Sequence, residues 1–291
     1  MYCSPCSLTI PVFGIDGAGK SSLIYRLKGD ISKPPPTGWG FSTTQITTCV
    51  QLQPSTKQPA CLGFINPIPF CCTKKKTIRM NLYDLGGLES IRAIWKNYLA
   101  EAHGYVYVID GLDLTRLGES VQALKDIYSF PKMQGKPLLI LITNQHSTDC
   151  ITLEKLHNHL QMAGIPIDND LVSIRACSLY TPGTTPDQLW TDKPNVDKSI
   201  EWLCVAIFSN IRSINARIKT DMQIQQQEWA QYKLEKKVQL ESRAALELPP
   251  TLIENSDKHD SVCKTQESLF ESKKSSIHRS DGKVHPIQCC V

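Results

Sequence analysis

The sequence predicts an α/β fold: a six-stranded, mostly parallel, doubly wound sheet with helices on both faces, followed by a long C-terminal helix and a disordered tail. Three observations predict it. Six strand-like runs lie between residues 8 and 176, two of them a hairpin pair and the others alternating with helical patterns. A glycine-rich loop, Gly14-Ile-Asp-Gly-Ala-Gly19-Lys20-Ser21-Ser22, joins the first run to the first helix and fits the phosphate-binding pattern G-x-x-x-x-G-K-[ST]. Beyond about Val196 the alternation stops, and isoleucines and leucines recur at spacings of three and four.

Taken in order, Met1–Ser7 is a short arm and Leu8–Phe13 a buried strand. Ser22–Lys28 is helical, with Leu23, Ile24 and Leu27 on one side. Asp30–Ser42 is a loop rich in Pro and Gly, and Thr43–Leu52 is a strand. Residues 53–76 carry Pro54, Pro59, Pro67 and Pro69 and end in three lysines. Prolines forbid a central strand there, so the stretch is a loop insertion between two hairpin strands. Thr77–Tyr83 is the partner strand. Ser90–Ala102 is helical, with Ile91, Ile94, Trp95 and Leu99 at helical spacing. Tyr105–Ile109 and Leu138–Ile142 are buried strands, separated by a helix over Leu117–Ser129 with Val121, Leu124 and Ile127 on one face. Leu153–Met162 is helical and Leu171–Ala176 strand-like. Strands alternating with helices imply a parallel sheet, and the one hairpin makes its edge antiparallel.

The stripe Ile200, Leu203, Ile207, Ile211, Ile214 and Ile218 predicts one helix over 196–247, about 78 Å long at 1.5 Å per residue. Its first half packs on the domain and its second projects or pairs with a partner. Pro249-Pro250 stops it, and Thr251–Val291 is polar and disordered. The expected organisation is therefore an arm over 1–7, a nucleotide domain over 8–218 with the 53–76 insertion, a helix over 219–248 and a tail over 249–291.

Composition narrows the class. A net charge of +4 is too mild to argue for a nucleic-acid partner. No run approaches a membrane span. The first strand begins so early that no secretory signal precedes it, so the twelve cysteines are expected to be free thiols in a reducing compartment. Cys3-x-x-Cys6 has no second half that would make a zinc site.

The loop's chemistry follows from its glycines, which let successive N–H groups face phosphate oxygens at a helix N-terminus. Gly14, Asp16, Gly17, Ala18, Gly19, Lys20, Ser21 and Ser22 are the candidate contacts. Lys20 would reach the β- and γ-phosphates, and the Ser21 hydroxyl would ligate Mg²⁺. At the end of the third strand, Leu82-Tyr-Asp84-Leu-Gly86-Gly87 offers a second element. Asp84 sits where a carboxylate holds the Mg²⁺ water shell, and the Gly87 N–H suits a γ-phosphate. Pro36-Thr37-Gly-Trp-Gly40-Phe41 is a third: Thr37 in a closing loop reaches both metal and γ-phosphate.

Together these residues resemble the Arf-like branch of small GTPases. Ile91-Arg92, Ile94-Trp95-Lys-Asn-Tyr98, Ala100-Glu-Ala and Gly135-Lys-Pro-Leu138 resemble, within that branch, the ciliary Arf-like thirteen subfamily. The resemblance covers about residues 8–218 without the insertion, and the long helix and tail match the subfamily's layout. It implies a P-loop small GTPase fold binding GTP and GDP with Mg²⁺, trafficking effectors as partners, and a GTP-bound form that acts as exchange factor for an Arf-like GTPase of the Arf-like protein three type.

The departures are specific. Family members read PTxGF, whereas one residue is extra here, Gly38 or Trp39. Leu88 stands where Arf proteins carry the water-orienting Gln, so no catalytic residue is assured and intrinsic hydrolysis should be slow. The guanine-reading Asn-Lys-x-Asp appears as Asn144-Gln145-His146-Ser147. Asn144 is kept, but the carboxylate that accepts from guanine is replaced by Ser147, with Asp149 two residues on. The last base contact falls on Cys177-Ser178.

Tyr2 occupies the position where N-myristoylation needs glycine. The resembling subfamily is palmitoylated on its N-terminal arm, which here carries Cys3 and Cys6; the alternative is two free thiols. Lys283-Val284-His285-Pro286 resembles the subfamily's Arg-Val-x-Pro ciliary address, and Cys289-Cys290-Val291 is a Rab-type ending without an evident Rab context. The expected location is the cytoplasmic face of the ciliary membrane. The competing reading is a pseudo-GTPase scaffold that recruits partners through its long helix. A third, an ATP-using P-loop enzyme, lacks a visible substrate domain or lid.

Overall fold

The structure, a computed structural model, describes residues 6–29, 40–52, 74–145, 149–167, 169–179 and 193–245. Six strands form one sheet: β1 (Cys6–Phe13), β2 (Phe41–Leu52), β3 (Lys74–Leu85), β4 (Tyr105–Asp110), β5 (Leu138–Thr143) and β6 (Val172–Ala176). The helices are α1 (Lys20–Lys28), α2 (Glu89–Arg92), α3 (Leu117–Tyr128), α4 (Leu153–Met162), α5 (Lys193–Ser209) and α6 (Ile211–Ala245). The strand order is β2-β3-β1-β4-β5-β6. Among the described residues only β2 and β3 run antiparallel; every other strand pair is parallel. This is the expected doubly wound sheet with a hairpin edge. β1 lies between β3 and β4, and ligands of such sheets bind beyond the strand ends where the order turns.

The core explains the topology. Leu138 to Ile142 are fully buried on both faces, as are Val106, Tyr107 and Val108 of β4. Central parallel strands need continuous apolar runs because helices cover both sides. Two buried phenols keep their hydroxyls paired: Tyr107 donates to the Ser120 carbonyl at 2.7 Å and Tyr105 to that of Lys132 at 3.0 Å.

Three strand starts and two helices differ from the sequence reading. Cys6 and Ser7, expected on the arm, continue the β1–β3 ladder opposite Ile78 and Arg79. Phe41 and Ser42, expected in the loop, begin β2 opposite Leu85 and Asp84, while Lys74–Lys76 belong to β3 and not to the insertion. The expected helix over Ser90–Ala102 is broken into α2 and a 3-10 turn at Trp95–Tyr98. The Ile94, Asn97 and Leu99 N–H groups each bond three residues back. Side-chain contacts of Trp95 and Tyr98 described below override the helical spacing. The single helix over 196–247 is two. The Asn210 N–H bonds the Ile207 carbonyl at 3.1 Å, and the Asn210 carbonyl accepts the Ile214 N–H at 3.0 Å. Asn210 therefore starts α6, a position asparagine favours. Residues 30–39, 53–73 and the tail lie outside the described residues.

The chain forms two compact units, Met1–Glu228 and Trp229–Val291. Within the first, α6 is attached by polar contacts as well as by Ile214 and Ile218. Lys136, with its side chain fully buried, donates to the Leu99 carbonyl at 2.8 Å and pairs with Asp221 at 3.6 Å. Gln225 donates to the Asn97 carbonyl at 3.0 Å. In the second unit, Leu234, Val238 and Leu240 are exposed.

His103 lies beside this seam. Its Nδ1 accepts the Thr9 N–H at 3.0 Å, and burial, with the Lys136 charge, pulls its pKa down to about 4. The folded value lies below the unfolded one, so the neutral ring stabilises the fold fully above about pH 6.5. That contribution is lost as pH falls towards 4, on the order of 3 kcal/mol. Denaturant midpoints at pH 7 and 4.5 should therefore diverge in the wild type. They should diverge less in His103→Gln; an identical slope in the variant would remove His103 as the cause.

Candidate functional site

The site is built where β1 ends. Gly14 packs so closely on β4 that a Cβ there would come 2.4 Å from the Val108 carbonyl oxygen. The chain then turns through Asp16–Gly19 into α1, whose first residue is Lys20. Lys20 is buried at 7% exposure and its Nζ donates to the Ile15 carbonyl at 2.7 Å, so the ammonium lies inside the loop. Burial pulls its pKa down to about 8, against the pull of Asp84 and Asp16.

The parallel register sets Val12 opposite Asp84, which brings the end of β3 beside the loop. Ser21 Oγ donates to Asp84 Oδ2 at 2.5 Å. Burial raises the Asp84 carboxyl above its ordinary range, although the Ser21 bond and the Lys20 charge oppose this. A half-buried carboxylate and a hydroxyl at one point are hard oxygen donors, the set that suits Mg²⁺.

Gly87 closes the site from above. A Cβ on it would lie 2.3 Å from the Asp16 nitrogen and 2.6 Å from the Gly14 oxygen, so only glycine approaches the loop this closely. Trp95 Nε1 donates to the Gly86 carbonyl at 2.8 Å, and the Gly86 N–H donates to the Gly40 carbonyl at 2.8 Å. Next to Gly40, Phe41 stacks on Tyr98 at 4.9 Å between ring centroids and meets Tyr83 at 5.3 Å. Gly40-Phe41 is thus tied to the turn at Gly86. Thr37 itself lies outside the described residues.

Two arginines complete the loop's surroundings. Arg116 grips the Asp16 carboxylate at 2.6 and 3.2 Å, and this pairing holds that carboxyl below its usual range. Arg92 donates from Nε to the Gly87 carbonyl at 2.7 Å and also pairs with Glu119. Sequence reasoning assigned no site role to either. Arg92 stands in a quoted resemblance run, whereas nothing local distinguishes Arg116 before the fold brings it beside Asp16.

At the end of β5, Thr143 Oγ1 donates to the Ala18 carbonyl at 3.1 Å and links that strand to the loop. Asn144 adopts φ 59°, and its amide donates to Asp110 Oδ1 at 2.8 Å. Cys150 donates from Sγ to the Asn144 carbonyl. Gln145 rests against Gly111, where a Cβ would meet its Nε2 at 2.4 Å. Cys177 is buried and its N–H bonds the Ile142 carbonyl at 2.8 Å, with Ser178 following at partial exposure. Leu179, which the sequence reading did not single out, reaches the loop instead: a Cβ on Gly19 would meet its Cδ1 at 3.3 Å. Ser147 lies outside the described residues, as do Cys3, Val284 and Pro286. Cys6 is the first residue of β1.

Comparison with known proteins agrees with this geometry. The model of the ADP-ribosylation factor family matches residues 65–190. ADP-ribosylation factor-related protein 1 of Rattus norvegicus is 27% identical over 202 residues, spanning 69% of this chain and 86% of that protein. ADP-ribosylation factor-like protein 4C of Homo sapiens is 30% identical over 180 residues, 62% of this chain and 82% of that protein. ADP-ribosylation factor-like protein 13B of Caenorhabditis elegans is 32% identical over 157 residues; these span 51% of this chain but only 35% of that relative. A six-stranded sheet with this phosphate loop at its turning point, and relatives that align along most of their own length, place the chain in the ADP-ribosylation factor family of small GTPases, whose fold implies guanine-nucleotide binding.

Proposed function

We propose that the chain is an Arf-like guanine-nucleotide switch with slow intrinsic hydrolysis, anchored to the ciliary membrane and acting in ciliary protein trafficking. One observation carries the nucleotide reading: Asp84 and Gly87, more than sixty residues on in the sequence, converge with Lys20 and Ser21 on the Gly14–Gly19 loop. The loop's N–H groups and Lys20 hold the β- and γ-phosphates, and the Gly87 N–H reads the γ-phosphate. Ser21 and Asp84, together with Thr37, would hold Mg²⁺, which when bound neutralises charge on the phosphate oxygens. Asn144, Gln145 and Ser147, together with Cys177 and Ser178, would contact the base.

Hydrolysis is slow in this reading because Leu88 cannot orient water. Its carbonyl serves to start α2, accepting the Ile91 N–H at 2.9 Å. Leu88→Gln should raise the single-turnover rate about tenfold or more. A wild-type rate equal to that of an activator-stimulated GTPase would contradict the assignment.

The ciliary reading rests on the similarity to the Arf-like 13B relative and on the terminal motifs. As in the resembling subfamily, the GTP-bound form would act as exchange factor for an Arf-like GTPase of the Arf-like protein three type. Acylation of Cys3 and Cys6 would anchor the chain at about 0.8 kcal/mol per buried CH₂, and Val284-x-Pro286 would supply a receptor-read address. These functions should separate. Replacing both cysteines by Ser should release the protein into the soluble fraction. Val284→Ala with Pro286→Ala should keep membrane binding while dispersing the protein from cilia. Ciliary enrichment that survives the second pair would move the address into the folded region. The scaffold reading draws support from Leu88, from Ser147, and from an Asn144 amide already engaged by Asp110. Loss of partner recruitment on removing nucleotide would count against it.

A further inference from the structure

The Gly87 peptide is held by more than the phosphate loop. Its preceding carbonyl is bound by the Trp95 indole, and a trans peptide points the following N–H the opposite way. Its own carbonyl is bound by Arg92 Nε at 2.7 Å. Arg92, only 14% exposed in its side chain, is itself fixed by Glu119 and stands 3.9 Å from Asp16. Arg116 closes the cluster, joining Asp16 at 2.6 Å and Glu119 at 3.0 Å. Two arginines and two carboxylates thus connect the phosphate loop, the Gly86-Gly87 turn and α3. A guanidinium suits this place because its rigid planar fork holds the Gly87 carbonyl and the Glu119 carboxylate in one fixed geometry, which a freely rotating ammonium does not impose.

We infer that Arg92, braced by Glu119 and Asp16, is a positioning residue that presents the Gly87 N–H to the γ-phosphate and so sets the site's preference for a nucleoside triphosphate over a diphosphate. The inference rests on the nucleotide reading above. Arg92 donates its Nε hydrogen bond to the Gly87 carbonyl, and Gly87 has no partner in a diphosphate. Loosening the cluster therefore weakens triphosphate binding and leaves diphosphate binding in place.

The test is a titration of the full chain with GDP and with a non-hydrolysable GTP analogue, in excess Mg²⁺, for wild type, Arg92→Ala, Arg92→Lys and Glu119→Ala. Arg92→Ala should weaken the analogue about tenfold and GDP by less than about twofold. Arg92→Lys should behave like Arg92→Ala, because it keeps the charge and loses the fork. Glu119→Ala, a surface change remote from the phosphates, should shift the same ratio by about threefold and carries the test if Arg92→Ala does not fold. An unchanged ratio in both positions, or equal weakening of both nucleotides, overturns the inference and leaves the site reading standing. A wild type that binds neither nucleotide overturns both.

Discussion

Lys20→Ala is expected to weaken GTP and GDP binding by about a thousandfold, the scale of removing one partner from a buried charged contact. Lys20 is the one lysine that starts α1 inside the loop, with its Nζ on the Ile15 carbonyl and its charge beside Asp84. The side chain is buried, so solvent does not replace the lost charge. A pH signature accompanies it. With the empty-site pKa near 8, bound phosphates keep Lys20 protonated above that value, so binding takes up a proton. Wild-type affinity should therefore be flat below pH 8 and fall by up to tenfold per pH unit above it. The variant should show no such fall. Competition with a fluorescent nucleotide measures both, and undiminished affinity in Lys20→Ala would remove the loop from the nucleotide site.

The second large effect concerns the base. Guanine offers an N1–H and a 2-amino group, and a site that pairs them with a carboxylate rejects analogues by roughly 10⁴-fold or more. In the proposed reading Ser147 stands in the sequence where that carboxylate is expected and would offer a hydroxyl instead. The wild type should prefer GTP over ATP by less than about a hundredfold, and Ser147→Asp should raise that ratio by about a hundredfold or more by tightening GTP alone. A wild type that already prefers GTP by several orders of magnitude would mean that Asp149 or another group makes the contact.

Much of this fold was legible because its signals are local. The strand before Gly14, the helix after Lys20 and the fully apolar Leu138–Ile142 each declare themselves within ten residues, and the sheet places them as expected. The convergence of Asp84 and Gly87 on the loop was legible through residue types alone. What escaped was set by contacts distant in sequence. Trp95 and Tyr98 keep helical spacing, but the Gly86 carbonyl and the Phe41 ring draw them out of one helix. The isoleucine stripe runs unbroken past Asn210, so periodicity hid the break, although an asparagine inside an apolar stripe was a usable warning. Arg116 and Leu179 were unreadable for the same reason: only the fold brings α3 and the end of β6 to the phosphate loop.

Equilibrium titration of the full chain with fluorescent GDP and a non-hydrolysable GTP analogue in Mg²⁺ decides whether the phosphate loop holds a guanine nucleotide. Saturable binding is expected with a Kd of about 1 μM or tighter for at least one of them, lost in Lys20→Ala. A folded wild-type protein that binds neither at millimolar concentration would contradict it and leave the family fold as a scaffold.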